Sequence, residues 1–194
     1  MARKIIAIIG ISVWASAVGV GFLWLTDYGT RPGQAAKAPR HLPAASFHYQ
    51  QKKLPTLLLF SHPQCPCTRA TMAELARLIT HNQGRVNIHV LFYRPLDKPR
   101  EWVESDLWQL AIKLPDVAVS TVSELDLLRF GVAASGQTLL YDTEGTLVFS
   151  GGITSARGHE GDNAGRSAIS TYLHGGQIPL TQTPVFGCSI IDAE

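Results

Sequence analysis

Between Ile5 and Leu25 the chain carries twenty-one residues without a single charge, IIAIIGISVWASAVGVGFLWL. As a helix this run spans about 31 Å, the hydrocarbon thickness of a bilayer. Trp14 lies mid-run, while Trp24 and Tyr28 fall near one end, where amphipathic rings prefer the membrane interface. Arg3 and Lys4 precede the run and place the N-terminus in the cytoplasm, with the remainder exported. Arg31, Lys37 and Arg40 on the outer flank weaken that contrast. A cleaved signal peptide is the competing reading, because Ala15-Ser16-Ala17 fits a small-residue cleavage site. The apolar run continues past that point without turning polar, which favours an uncleaved, single-pass signal-anchor. Under both readings the bulk of the chain leaves the cytoplasm, and a bacterial cytoplasmic membrane with the C-terminal part on the periplasmic or exported side is expected.

The rest of the composition follows from that division. The 194 residues suit one domain of ordinary size with a short appendage. Charged residues make up 16%, against roughly 25% in an average soluble chain. The deficit is partly local, since the first 25 residues hold only Arg3 and Lys4. A formal net charge of +2 gives no basic face for phosphates, so no nucleic-acid partner is expected. Three cysteines exclude a fully paired disulfide scaffold and leave a redox pair plus a third thiol, or a metal site.

Five segments are expected: residues 1–4 as a short cytoplasmic lead, 5–25 as the transmembrane helix, 26–51 as a flexible tether, 52–176 as the folded domain, and 177–194 as a tail carrying Cys188. The tether mixes Pro, Gly and Ala with scattered basic residues and shows no sustained period. LPTLLLF, from Leu54, reads as a buried strand. A tight loop, SHPQCPC, leads into a helix from Thr68 to about His81, with Gly84 as its C-terminal cap. VNIHVLFY, ending at Tyr93, is a second strand, so the order indicates a right-handed parallel crossover. A helix is expected from about Glu101 to Leu114, then a short strand VAVSTV and a short helix SELDLLRFGV. Thr138 to Asp142 and Thr146 to Ser150 flank a hairpin connection, and a last helix runs from about Gly165 to His174.

The chemistry concentrates at Cys65-Pro66-Cys67, between a buried strand and a helix start. Free N–H groups and the positive end of the helix dipole stabilise a thiolate there and raise the fraction present as nucleophile. Arg69 adds a nearby cation, and Pro66 suits a first helical turn, where its missing donor is not needed. Cys65 is expected to attack and Cys67 to resolve, because the first cysteine lies outside the helix and is the more exposed of the two.

These residues resemble the thioredoxin-like superfamily, especially its membrane-anchored, exported thiol–disulfide oxidoreductases involved in cytochrome c maturation. Phe60 stands five residues before Cys65, as in that family's motif, and Pro66-Cys67 matches its Pro-Cys pair. The later stretch with Phe130, Gly131, Val132, Thr138, Leu139, Asp142, Gly145 and Gly151 resembles the family's hairpin, and together with the glycine-rich segment after it resembles the RedB-like branch. The resemblance covers about Leu54 to His174. It implies an α/β, thioredoxin-like fold, a central mixed sheet flanked by helices and preceded by one transmembrane helix, and a redox-active disulfide exchanging with protein thiol or disulfide substrates. Two departures stand out. The cysteines form CxC in place of the family's CxxC, so a disulfide closes a smaller, more strained and more oxidising ring. Gln137 occupies the position of the family's cis-proline, so a trans peptide and a differently shaped loop at Ala134–Gln137 are expected.

No cofactor is expected under the redox reading. The rival reading is copper: His62, Cys65 and Cys67 form a soft H-x-x-C-x-C cluster, with His159 as a distant fourth ligand, as in a copper-delivery or assembly protein. Taken singly, His62 reads as a solvated loop residue. Cys188 is either a third redox partner or a thiol packed under the TPVF segment, and Pro184 and Gly187 indicate a fixed turn near the domain. Arg157, His159 and Glu160 are candidates to line a site near the cysteines, while Asp162 or Asn163 caps the final helix. His41, His48, His81, His89 and His174 carry no motif, and Trp102 and Trp108 read as core.

Overall fold

The structure, a computed structural model, describes residues 2–34, 37–43 and 54–191. The first helix, α1, runs Ala2–Thr30, is apolar, and buries none of its residues against the domain. It is long and apolar enough to cross a membrane. The helix outlasts the apolar run because the Thr26 and Thr30 hydroxyls donate to carbonyls four residues back and Asp27 pairs with Arg31 one turn on.

The domain proper follows as β1 (Thr56–Ser61), α2 (Thr68–His81), β2 (Asn87–Tyr93), a 3₁₀ turn (Arg100–Trp102), α3 (Asp106–Ala111), β3 (Val117–Val122), α4 (Glu124–Phe130), β4 (Thr138–Tyr141), β5 (Leu147–Gly151) and α5 (Ala164–Leu173). One five-stranded sheet has the order β3-β2-β1-β4-β5. β1, β2 and β3 pair in parallel, and β4 and β5 join antiparallel. This is the expected central mixed sheet flanked by helices.

Period-two alternation splits the buried side chains between the two faces. Leu57, Leu59, Val90, Phe92, Leu140 and Phe149 pack against α2, α3 and α5. Leu58, Phe60, Leu91, Leu139 and Tyr141 pack against Leu127 and Phe130 of α4. β1 is covered on both faces, which explains why it reads as an unbroken apolar run.

Two local expectations change, and a third is settled in favour of one of its two alternatives. The cap of α2 is Asn82, whose side-chain amide donates to the Leu78 carbonyl (2.7 Å), and Gly84 sits two residues further on in the turn, at φ +70°. The expected helix over 101–114 is broken, because Ser105 adopts extended backbone and its hydroxyl accepts from Trp108 N–H, restarting the helix as α3. At α5 the Asn163 side chain accepts from Arg166 N–H (2.8 Å) and is the cap, while Asp162 is exposed.

The expected flexible tether departs most. Its described part lies on the domain: Gly33 N–H donates to the Val185 carbonyl, Leu42 N–H to Gly145, and Leu147 N–H to Arg40. His41 bridges Thr146, and Ala38 and Leu42 cover the α4 face of the core. Apolar residues scattered among Pro and Gly give no period, yet they seal a sheet face that one short helix leaves half open. The remainder of the tether, at 35–36 and 44–51, lies outside the described residues. Gly131 holds this segment close, with φ +58° and a Cβ position that would overlap the Lys37 carbonyl. Gly131→Ala is expected to cost about 1–2 kcal/mol in backbone strain alone and to detach residues 37–43. A lowered Tm with new protease cleavage in that segment checks it.

Candidate thiol site

β1 ends at Ser61, and the chain turns through His62 to Gln64 before Cys65, whose N–H donates to the His62 carbonyl (3.2 Å). The Cys65 and Pro66 carbonyls then accept from Thr68 and Arg69 N–H (3.1 and 3.3 Å), which winds the motif into the first turn of α2. Cys67 is the N-cap residue in helical backbone and makes no side-chain cap bond, so its thiol stays available.

A second strand-end supports this turn. Gly136 N–H donates to the Phe60 carbonyl (2.7 Å) and Phe60 N–H to the Gln137 carbonyl (2.9 Å). That register brings Ser135 under the motif, where its hydroxyl accepts from His62 N–H (2.8 Å) and shares a hydrogen bond with the Thr68 hydroxyl (2.7 Å). All described peptide bonds are trans, Gln137 included. The Gln137 side chain turns back to bond the Gly131 carbonyl and Ala133 N–H, and so shapes the loop internally.

The third element is the tail. Ser135 N–H donates to the Cys188 carbonyl (2.9 Å) and Ile190 N–H to Ala133 (3.0 Å), with an antiparallel bridge between Ala134 and Ser189. Ile190 is fully buried. Glycine is required at 187, where a Cβ would overlap the Ser135 carbonyl oxygen. The sulfurs of Cys65, Cys67 and Cys188 consequently lie within 4.8 Å of one another.

Cys65 is the buried member of the cluster, 2% exposed, while Cys67 and Cys188 are partly exposed. The expectation that Cys65 is the more exposed thiol is therefore reversed, because the turn folds it inward against Thr68 and the tail. Its ionisation is nonetheless the easiest: the Cys188 thiol donating to it, helped by the Thr68 hydroxyl and N–H, outweighs burial and lowers its pKa to about 4. Burial, then the neighbouring Cys65 charge, pushes Cys67 up. Cys188 is pushed up as well, since its proton is the one held by Cys65.

The local cation is not Arg69, which is exposed and paired with Asp106. It is Arg157, whose positive charge favours the thiolate of Cys67 and also that of Cys188. Arg157 is held by α1: its N–H donates to the Gly29 carbonyl (2.9 Å), its Nε to Arg31 (3.2 Å), and its guanidinium lies 5.1 Å from the Tyr28 ring centre. The loop that carries it is pinned by Glu74, fully buried in α2, which accepts from Gly161 N–H (2.8 Å) and Asn163 (3.1 Å) and pairs with Arg77 and with Arg166 (3.2 Å).

The histidines do not join the sulfurs. His62 is buried, edge-on to Trp102 (5.5 Å between centres) and near Tyr93, with Nδ1 accepting from Gln64 N–H. It is therefore not the solvated loop residue expected of it. His159 is exposed, and Glu160 pairs with Arg77 (3.0 Å). Among the described residues, the one cluster of three or more candidate metal-ligand groups is the three cysteines. Thr68 and Ser135 were not singled out from the sequence. Thr68, a hydroxyl directly after the second cysteine, carried a readable signal, whereas Ser135 acquires its place only through strand pairing.

No protein-family model and no curated protein matches this chain. Solved structures do match. An uncharacterized conserved protein of Geobacillus kaustophilus aligns at TM-score 0.57 and 18% identity, over 83% of this chain and 92% of that one. A hypothetical protein of Sinorhizobium meliloti 1021 aligns at 0.57 and 22%, over 86% and 95%. A protein of Bacteroides thetaiotaomicron provisionally described as a protein disulfide isomerase aligns at 0.50 and 12%, over 75% and 93%. With the sheet order above, these establish a thioredoxin-like fold.

Proposed function

We propose that this chain is a membrane-anchored thiol–disulfide oxidoreductase or isomerase that acts on exported protein thiols through Cys65 and Cys67. The observation that carries this reading is the grouping of the Cys65, Cys67 and Cys188 sulfurs within 4.8 Å of one another at the start of α2, where their neighbours favour the Cys65 thiolate. In the oxidising direction, a substrate thiolate attacks the enzyme disulfide at one sulfur and the electron pair leaves on the other. A second substrate thiolate then attacks the mixed disulfide and releases the dithiol enzyme. Two electrons pass from substrate to enzyme, and the substrate gains the disulfide.

A low thiol pKa favours that direction, because stabilising the thiolate stabilises the reduced enzyme and makes its disulfide easier to reduce. The small CxC ring acts in the same sense. A potential more positive than the about −270 mV typical of thioredoxin is expected, measured on the full chain in detergent by thiol counting in glutathione buffers. Failure of any disulfide to form among the three cysteines under oxidant, by thiol titration and peptide mapping, overturns the reading.

Supporting the membrane placement are α1, which is long and apolar enough to span, and its C-terminal turn, which meets the thiol site at Arg157. The domain then lies close to the membrane on the exported side. A role in maturation of exported redox proteins, as in the RedB-like branch, belongs to this same proposal.

A further inference from the structure

We infer that Cys65, Cys67 and Cys188 also form a three-coordinate site for monovalent copper, built only from sulfur. Cys65 comes from the turn after β1, Cys67 from the cap of α2, and Cys188 from the tail 121 residues later, yet their sulfurs lie within 4.8 Å of one another. Cys65 and Cys67 are brought together by one local turn, but Cys188 reaches them from a distant segment, which that turn does not explain.

The tail is placed by interactions that do not involve sulfur. Gly187 passes against the Ser135 carbonyl where no side chain fits, Ser135 N–H holds the Cys188 carbonyl at 2.9 Å, and Ile190 is sunk in the core beside Phe130. The ligand set is therefore held together before any ion arrives, and little ordering entropy is left to lose on binding.

Donor chemistry selects the ion. Three thiolates without an oxygen or imidazole donor suit soft monovalent copper and disfavour magnesium, calcium or manganese. Structural zinc takes four ligands, and the cluster among the described residues offers three. His62 and His159 do not contribute: one is buried against Trp102 and the other is exposed away from the cluster. Three thiolates around one monovalent ion leave a net charge of −2, and Arg157, held beside the site by the Gly29 and Arg31 carbonyls, partly offsets it. Binding replaces thiol protons with the metal and moves no electrons. The site exists only in the dithiol enzyme, so forming a disulfide ejects the ion.

The test is anaerobic titration of the full, reduced chain in detergent with copper(I) buffered by a chromophoric chelator. One copper per chain is expected, with three sulfur neighbours by X-ray absorption. Cys188→Ser should weaken binding by about a hundredfold or more, at or beyond the upper range for changes around a metal site. Gly187→Ala keeps all three sulfurs but displaces Cys188, and should weaken binding too. Loss of all copper to the chelator, or binding unchanged in Cys188→Ser, overturns the inference. Disulfide formation assayed without copper is a separate readout, so failure of the copper site and failure of the redox reading are distinguishable.

Discussion

Replacing Cys188 with alanine should move the titration of Cys65 upward from about 4 by roughly two units or more, because the Cys188 thiol is the largest stabiliser of the Cys65 thiolate. Serine at the same position keeps a hydroxyl donor and should leave the midpoint near its original place. The pair of variants thus separates a hydrogen-bond effect from a packing effect. Thiolate ultraviolet absorbance against pH, in a Cys67→Ser background, reads the step directly. An unchanged midpoint in Cys188→Ala would transfer the effect to Thr68 and the helix start.

The same hydrogen bond links stability to pH. Folded Cys65 ionises near 4, whereas an unfolded thiol ionises near about 8.5. Its contribution is therefore complete above the ordinary thiol range and is lost progressively as pH falls through about 4. Cys67 and Cys188 are shifted upward and act in the opposite sense. Their contribution is present below the ordinary thiol range and is lost as pH rises past it. The reduced protein should gain Tm from acid pH toward neutrality and lose it in alkali, and Cys188→Ala should flatten the acid limb.

Glu74→Ala should be the most destabilising single change outside the apolar core. The carboxylate is fully buried and bonded by Gly161 N–H, Asn163, Arg77 and Arg166. Removing it leaves the Gly161 N–H and the Arg166 Nε without their acceptor and takes one partner from Asn163 and Arg77, at a cost of about 3–5 kcal/mol. Glu74→Gln keeps one acceptor but turns an amide toward the Asn163 amide, so it should recover only part of the loss. Denaturant unfolding measures both. The loop released by either change carries Arg157, so Cys67 alkylation rates should shift as well, an effect that a merely destabilised core would not produce. Wild-type stability in Glu74→Ala would show that the loop is held by other means.

Local signals made much of the fold legible. β1 was readable because a strand covered on both faces must be apolar throughout, and α2 because its buried face repeats at helical spacing. The hairpin was readable from its turn at Asp142–Gly145, where φ is +80° at Gly145. The broken helix at Val103–Ser105 was not, since a serine serves equally as a helix surface residue or a cap and only the extended backbone at Ser105 decides it. Glu74 was invisible for a similar reason: a glutamate on a helix reads as solvated until a distant loop closes over it.

The charge-free run from Ile5 to Leu25, the Cys65-Pro66-Cys67 turn at a helix start and the alternation of strands and helices are properties of neighbouring residues, and the sequence alone determined them. Which thiol is buried, which cation faces the sulfurs and where Cys188 lies were decided only by tertiary structure. Each depends on segments far apart in the chain meeting at the end of β1: the loop at Ser135 through strand pairing, the tail through Gly187 and Ile190, and Arg157 through Glu74 and the end of α1. Such meetings leave no period or spacing to read, because what selects them is the shape of the surface the sheet leaves uncovered.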